Sequence, residues 1–338
     1  MRAVVVGEFG PPEALRVAEA PMPVPGPGEV LVEIQAAPVN YVDMLVVEGR
    51  YQFLPPFPFI PGKSPAGIVT SVGPNVASLH IGDRVLATAE TGGYAEAVAV
   101  EAEQCHRLPA RMSFLEAGSL AVVYDTAWVA LRSRARLRAG ESVLVLGASG
   151  GVGHAAVQLA RAMGARVLAG VSRPERAALA RAAGADAIID LSRPDLRESL
   201  REQVHAETDG SGADVVIDPL GGAVFDAAIR AVAWCGRLVV IGFAAGGIPS
   251  LRINYLLLKN IEVSGLQITD YRKRRPAELM TAYAEIFGFY ELGHLRPAAA
   301  TVFPLEAAGA ALARVRDRRI AGRAVLRPGP VAALPTAG

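Results

Sequence analysis

Four glycines that follow a short apolar run are the residues best suited to bind a ligand. These glycines are Gly147, Gly150, Gly151 and Gly153. The β-branched apolar residues at 143–146 predict a buried parallel strand, and apolar residues at helical spacing after the glycines predict a helix. A glycine turn lets backbone approach a pyrophosphate, and a helix start offers free N–H groups and a positive dipole end. The context therefore predicts a dinucleotide site, although the spacing Gly-x-x-Gly-x-x-Gly alone also suits a tight turn without a ligand. The residues expected at this turn are Ser149, Gly150, Gly151 and Val152.

The residues after the second predicted strand, 166–171, indicate which dinucleotide the turn favours. In NAD sites an acidic residue at this strand end binds the ribose 2′-hydroxyl. Here the strand is followed by Ser172 and Arg173, with Arg176 one turn further on, while Glu175 follows a proline and opens the next helix. An arginine pairs with a 2′-phosphate that an acid would repel. The segment therefore favours NADPH over NADH, with exposed surface arginines as the alternative.

Composition limits the classes of protein to which the chain could belong. Its 338 residues suggest two domains, and a hydrophobic share of 51% is ample for two cores. A net charge of +1 gives no sign of a nucleic-acid partner or an anionic membrane surface. No apolar run reaches the ~18 residues of a membrane span, and the N-terminal run is too short for a signal peptide. With only two cysteines, far apart in sequence, the chain is expected in the reducing cytoplasm.

The order of predicted elements indicates an α/β protein. Residues 1–125 hold mostly short strands, becoming helical from about 114 to 131, and are expected to form one domain. Residues 126–265 alternate strands and helices, which predicts a doubly wound parallel sheet. Residues 266–338 hold too few elements for a domain, so they are expected to return to the first. The six parallel strands are predicted at 143–146, 166–171, 187–190, 215–218, 237–241 and 261–264, and helices at 174–183, 195–208, 223–233, 277–290 and 305–317.

Short motifs match one protein family in order along almost the whole chain. They lie at 36–43, 49–51, 59–63, 66–69, 82–85, 92–96, 126–127, 147–153, 218–222 and 242–243. On these residues the chain resembles the medium-chain dehydrogenase/reductase superfamily, and most of all its zinc-independent NADPH:quinone oxidoreductase branch, the zeta-crystallin-like proteins. The resemblance implies a Rossmann domain inserted into a GroES-like β domain that both chain ends build, with NADPH bound between them.

The resemblance also implies which residues contact the cofactor and substrate. It places Asn40 and Tyr51 near the nicotinamide, where both could donate hydrogen bonds, and makes them the candidate catalytic residues. For Tyr51, a purely structural hydroxyl is an equal alternative. Besides Asn40, it implies cofactor contacts for Thr126, Phe243, Ala244, Leu266, Gln267 and Arg323. A solvated charge is the alternative for Arg323. The basic run 272–275 is interpreted as a solvated helix entry, with contact to a phosphate-bearing substrate such as an acyl-CoA thioester as the alternative.

Comparison with the zinc-binding members of the superfamily implies that this chain holds no catalytic metal. Those members have a cysteine where this chain has Asn40, and a His-Glu pair where it has Lys63 and Ser64. Neither lysine nor serine is a plausible zinc ligand here, and the five histidines are scattered.

The absence of zinc ligands restricts the reactions that the chain is expected to catalyse. Zinc stabilises the alkoxide in alcohol oxidation, so a site without zinc needs a substrate that delocalises the hydride's charge itself. Quinones and conjugated enones do so when the protein holds them flat and donates a hydrogen bond to the remote oxygen. We therefore expect NADPH-dependent reduction of quinones by direct hydride transfer to a small planar electrophile. An enoyl or alkenal double-bond reductase and a non-catalytic NADPH-binding regulatory protein are the alternatives.

An apolar segment at the end of the predicted sheet indicates self-association. Residues 253–258 and the last strand are apolar, and an exposed strand edge invites pairing with a second copy. We therefore expect a homodimer through this edge.

Overall fold

A computed structural model describes residues 1–320 and 322–329, and this part of the chain forms two compact units. Unit 1 comprises Met1–Val122, Arg272–Pro276 and the described residues from Pro297 onward. Unit 2 comprises Val123–Tyr271 and Ala277–Arg296. The predicted α/β architecture, a Rossmann-type unit inserted into a β-rich unit, is confirmed.

The first part of unit 1 is a β structure formed by alternating apolar residues. The long strand Glu29–Val39 alternates buried and partly exposed side chains along its first half, as a strand with one buried face does. Its buried residues pack into an apolar core with those of its neighbours. The elements in order are β1 (Arg2–Val4), β2 (Val17–Glu19), β3 (Glu29–Val39), α1 (Tyr41–Val47), β4 (Ala66–Val72), β5 (Arg84–Ala87), β6 (Ala97–Glu101), β7 (Cys105–Arg107) and α2 (Phe114–Leu120).

Unit 2 is a six-stranded parallel sheet flanked by helices, as predicted. Three of its strands are almost entirely buried apolar runs, which is typical of a sheet covered on both faces. Its elements are α3 (Val123–Trp128), which continues as a π-helix at Val129–Arg134, β8 (Ser142–Leu146), α4 (Gly151–Ala162), β9 (Arg166–Val171), α5 (Ala177–Ala182), β10 (Ala187–Asp190), α6 (Leu196–Glu207), β11 (Ala213–Asp218), α7 (Gly222–Ala231), β12 (Val232–Val240), α8 (Asn254–Lys259), β13 (Glu262–Gly265), the first part of α9 (Ile268–Arg274) and nearly all of α10 (Pro276–Glu291). The last residues of α9, from Arg272, belong to unit 1.

The strand order of this sheet is β10-β9-β8-β11-β12-β13. The chain therefore runs outward from β8 to one edge and then crosses back to continue from β11 to the other. A reversal of this kind between two central strands leaves a crevice at their carboxyl ends, where ligands bind in open α/β sheets.

The chain returns to unit 1 through β14 (Ala300–Pro304), α11 (Ala308–Arg316) and β15 (Arg323–Arg327). Strand β15 pairs antiparallel with β3 and parallel with β14, so the C-terminal strands extend the N-terminal sheet. The sequence predicted this return.

The limits of the two units differ from the expected domains 1–125, 126–265 and 266–338. Helix α10 was expected to return to the first domain, but most of it belongs to unit 2. It buries Leu279, Ala282 and Ile286, and the Tyr283 hydroxyl donates to Asp125 on α3 at 3.2 Å. An apolar face with a buried polar anchor thus holds it to the Rossmann unit.

Some predicted elements end or begin elsewhere. The helical segment expected from 114 to 131 is broken, because Val122 adopts a left-handed conformation with φ of 69° between α2 and α3. The helix expected at 223–233 ends at Ala231, where Val232 begins β12. Among the described residues, no single helix is long and apolar enough to cross a membrane, although Phe114–Leu120 and Val123–Arg134 meet the criteria as a bent pair.

Candidate functional site

The glycine turn of unit 2 joins β8 to α4 at the carboxyl edge of the sheet. Gly147 has a φ of 62°, which glycine adopts without strain. A Cβ on Gly153 would lie 2.2 Å from the Gly147 carbonyl oxygen, so this turn of α4 can pack against the loop only if residue 153 is glycine. Glycine at 153 therefore allows the backbone of α4 to lie close to the backbone of the turn, and the expected approach of this backbone to a pyrophosphate stays a prediction.

The start of α4 has an electrostatic character that suits an anion. Its N-cap residue is Gly150, which provides no side-chain cap, and the first turn contains no acidic residue. The N–H groups and the positive dipole end at Gly151 and Val152 thus carry no compensating side chain. Ser149 and Val152 are half-buried and Gly150 is exposed, so backbone at this turn is within reach of a ligand.

The predicted 2′-phosphate residues lie next to this turn. Strand β9 pairs parallel with β8, with Leu146 opposite Gly170, and the Ala148 N–H donates to the Gly170 carbonyl at 3.0 Å. Ser172 and Arg173 follow the end of β9 and are both exposed, and Arg176 is half-buried in the next turn. The structure thus brings a hydroxyl and an exposed guanidinium to the edge that carries the free helix start.

Two further loops lie at the carboxyl edge, after β11 and β12. Asp218 ends β11, and its Oδ1 accepts hydrogen bonds from the Leu220 and Gly221 N–H groups at 2.8 and 3.0 Å. Phe243 and Ala244 follow β12; the Ala244 N–H donates to the Pro219 carbonyl at 3.1 Å, which ties the two loops together. Phe243 is partly exposed, so its ring is available to a ligand.

The remaining candidates of unit 2 are less accessible. Leu266 follows β13; its side chain is buried, and its N–H donates to the Val240 carbonyl at 2.9 Å. The side-chain oxygen of Gln267 accepts from the Asp270 N–H at 3.2 Å. Thr126 is buried on α3, which packs against α4. The positions are compatible with backbone or hydroxyl contacts, and the roles of these residues stay predictions.

Asn40 in unit 1 is fixed at both ends of its amide. Its Nδ2 donates to Asp43 Oδ2 at 3.2 Å, and its Oδ1 accepts from the Arg323 guanidinium at 2.6 Å. Its backbone N–H also donates to Asp43 Oδ2, at 2.8 Å, and so completes a capping box at the start of α1. Arg323 is therefore not the solvated charge that was its alternative. The network leaves one Nδ2 hydrogen of Asn40 in a defined direction.

Asp43 accepts several hydrogen bonds within this network, and it was not identified as a site residue from the sequence. It is almost completely buried and also accepts a hydrogen bond from the buried Tyr94 hydroxyl at 3.1 Å. Burial raises the pKa of Asp43 to about 6, while the nearby charge of Lys63 and the hydrogen bonds oppose this shift. The spacing Asn40-x-x-Asp43 is a capping-box signature, which could have identified the carboxylate from sequence.

A second polar cluster in unit 1 is built on Glu90. The Lys63 ammonium donates to the Glu90 carboxylate and, at 3.2 Å, to its carbonyl, and the Arg272 guanidinium donates to the same carboxylate at 2.9 Å. Arg272 is only 3% exposed. The interpretation of 272–275 as a solvated helix entry is therefore wrong for Arg272, because its buried guanidinium pairs with Glu90, which is far from it in sequence.

Tyr51 is partly buried beside this second cluster. The Lys63 Nζ lies 5.4 Å from the centre of its ring, a cation–π distance. Of the predicted site residues in unit 1, the structure thus brings together Asn40 and Arg323, and places Tyr51 with Lys63. The other candidates belong to unit 2.

The residues present do not fit a catalytic zinc. Asn40 is engaged with Asp43 and Arg323, and Lys63 with Glu90, so neither offers a free anionic or imidazole donor. Within residues 1–320 and 322–329, no group of three or more His, Cys, Asp or Glu side chains could hold a metal ion.

Comparison with known proteins identifies the family. The family model described as alcohol dehydrogenase GroES-like domain matches residues 26–110, and the one described as zinc-binding dehydrogenase matches 151–285. Quinone oxidoreductase-like protein 2 of Rattus norvegicus is 35% identical over 96% of this chain and 91% of its own length. Human quinone oxidoreductase is 31% identical over 90% of this chain and 91% of its own length.

Solved structures agree with the sequence comparison. A Pseudomonas syringae quinone oxidoreductase has a TM-score of 0.89 at 30% identity, covering 97% of this chain and 99% of that one. A mycobacterial protein solved in complex with NADPH has a TM-score of 0.89 at 31% identity, covering 97% of this chain and 100% of that one. With its GroES-like and Rossmann units, its glycine turn and these relatives, the chain belongs to the quinone oxidoreductase branch of the medium-chain dehydrogenase/reductase superfamily and is an oxidoreductase with a fold that binds a nicotinamide cofactor.

Proposed function

We propose that the protein reduces a quinone with NADPH by direct hydride transfer and without a metal. The observation that carries the proposal is the uncapped start of α4, set beside an exposed serine and arginine at a strand end that has no acid. That edge combines N–H groups for a pyrophosphate with a guanidinium for a 2′-phosphate. The NADPH-bound relative supports this choice of cofactor.

When bound, NADPH supplies the hydride, and this chain's residues bind and orient the reactants. In this proposal Asn40, held by Asp43 and Arg323, presents its remaining Nδ2 hydrogen to the nicotinamide or to the acceptor oxygen. Tyr51 offers a ring face and a hydroxyl to a planar acceptor. A donor already in position costs no reorganisation, and one such donor is worth about 3 kcal/mol of barrier.

The proposal is tested by the oxidation of NADPH at 340 nm with a panel of ortho-quinones, para-quinones and conjugated enones. We expect turnover with quinones, and slower turnover with NADH in place of NADPH. Turnover of enones alone would replace the proposal with double-bond reduction. Tight NADPH binding without any turnover would contradict catalysis and favour the non-catalytic alternative.

We also propose that two copies associate through the β13 edge of unit 2. Strand β13 is the last strand of the sheet, and on the adjacent helix α8 Leu257 and Leu258 are 78% and 69% exposed. Apolar surface beside an open strand edge favours burial against a second copy. We expect a dimer by light scattering and a shift towards monomer for Leu257→Glu; a native monomer at micromolar concentration would contradict the proposal.

A further inference from the structure

Two aromatic rings in unit 1 are each paired with a lysine. The Tyr51 and Phe53 rings meet edge to face with their centres 6.3 Å apart. The Lys63 Nζ lies 5.4 Å from the Tyr51 ring centre, and the Lys273 Nζ lies 5.1 Å from the Phe53 ring centre. We call these four side chains the cation–aromatic surface. Its two members at the outside, Phe53 and Lys273, are exposed, so a ligand can reach them.

Lys273 is the cation of this surface that has no ion pair among the described residues. The two buried cations have acidic partners: Lys63 and Arg272 both contact the carboxylate of Glu90, and the charge of Lys63 also acts on Asp43. The surface therefore presents one exposed, unpaired ammonium beside the Phe53 ring.

This unpaired charge lies where a ligand can use it. Lys273 is exposed on a flexible side chain that can turn from the Phe53 ring to an incoming anion. An anionic group on a ligand that stacks on the rings would pair with this ammonium.

We propose that the cation–aromatic surface selects planar acceptors that carry an anionic substituent such as a carboxylate, with the ring against Tyr51 and Phe53 and the anion on Lys273. This inference rests on the proposed function, because it describes the substrate class of that reaction. Lys63 and Arg272 act through their charge, and Lys273 contacts the anion directly. No single sequence motif contains this surface, because Lys273 joins the rings at 51 and 53 from a distant part of the chain.

The test compares two naphthoquinones that differ only in charge. One carries a propionate side chain and the other the methyl ester of that propionate; the saturated linker insulates the quinone ring electronically from the difference. We expect kcat/KM with NADPH to be about tenfold higher for the carboxylate at low ionic strength, as one charged contact provides. We expect that ratio to fall towards one in about 0.5 M salt, because salt screens charges at exposed contacts.

Substitutions test whether the preference for the carboxylate substrate arises from the cation–aromatic surface. The carboxylate-to-ester ratio should fall severalfold in Lys273→Gln and in Lys63→Gln, and should keep its native value in Arg319→Gln, which removes an exposed cation elsewhere in unit 1. Because the ratio is taken within one preparation, a loss of folded protein cancels. A native ratio near one, or equal ratios in Lys273→Gln and Arg319→Gln, would overturn the inference while quinone turnover still supports the proposed function.

A binding measurement separates failure of the inference from failure of the proposed function. If neither quinone is reduced, the proposed function fails, and titration calorimetry of both compounds in the presence of NADP⁺ decides the charge preference. Tighter binding of the carboxylate, lost in Lys273→Gln, would support the selection. Equal dissociation constants, or no binding of either compound, would overturn it.

Discussion

The glycine turn of unit 2 and the polar network around Asn40 in unit 1 are built in opposite ways. The turn consists of backbone: seven consecutive residues, 147–153, shape it, and no side chain caps the helix that follows. The Asn40 network consists of side chains, and its Arg323 comes from 283 residues further along the chain. In the proposed function the first binds a pyrophosphate through its backbone, whereas the second sets the direction of a single amide. Under that proposal, cofactor binding and chemistry depend on different kinds of residue.

The turn should be destroyed by the smallest possible side chain. In Gly153→Ala the new Cβ would meet the Gly147 carbonyl oxygen at 2.2 Å, and the backbone there cannot move without separating α4 from β8. We expect a loss of about 3 kcal/mol or more in the free energy of unfolding, together with loss of NADPH binding. Urea denaturation and NADPH titration measure the two effects.

A matched glycine provides the control for that substitution. Gly288 lies inside α10, and a Cβ there would meet nothing within 4 Å. Gly288→Ala should stabilise unit 2 by about 0.5–1 kcal/mol, because alanine loses less entropy in a helix. Equal effects of the two substitutions would show that close packing does not shape the turn.

The Asn40 network should respond to pH. Burial raises the pKa of Asp43 from 3.8 to about 6, so between these values the folded chain binds more protons than the unfolded chain, and this residue's contribution to stability falls as pH rises. The contribution amounts to about 3 kcal/mol over that window. Buried His106, with its pKa lowered from 6.5 to about 4, has the opposite effect and stabilises the fold as pH rises through the same range.

The substitution Asp43→Asn should reveal the contribution of His106 to the pH dependence of stability. We expect the stability of the variant, measured by urea denaturation from pH 4 to 6.5, to rise more steeply with pH than that of the native protein. Asp226→Asn, at an exposed position on α7, serves as the control and should follow the native profile. Native and Asp43→Asn profiles of equal slope would disprove the account of the buried carboxylate.

Much of unit 2 could be predicted from the sequence, because its signals are local. Strand, glycine turn and helix follow one another within some twenty residues, and the position of Arg173 after β9 is also a local feature. The clusters of unit 1 have no such signal: nothing in the sequence pairs Glu90 with Arg272, or Asn40 with Arg323, since long-range contacts follow from sheet packing. Helix α10 was assigned to the first domain, whereas most of it belongs to unit 2, because an apolar helix face does not indicate against which of two cores the helix packs.

A comparison of NADPH and NADH binding can distinguish a specific contact between Arg173 and the 2′-phosphate from general electrostatic attraction. Arg173 is exposed beside the turn, so Arg173→Gln should raise the dissociation constant of NADPH about tenfold and that of NADH much less. Arg181→Gln removes an exposed cation from α5 and should change neither constant. A parallel loss for both dinucleotides would place the 2′-phosphate elsewhere.

The most direct test of the account is a single turnover of a quinone with NADPH that carries deuterium at the transferred position of C4. Direct hydride transfer predicts that the protein oxidises this NADPH more slowly than the unlabelled cofactor when the step is observed by stopped flow. It also predicts that oxidation requires the quinone. Equal rates for the two forms would contradict rate-limiting hydride transfer, and an absence of oxidation with every quinone and enone, while NADPH stays bound, would contradict the proposed activity itself.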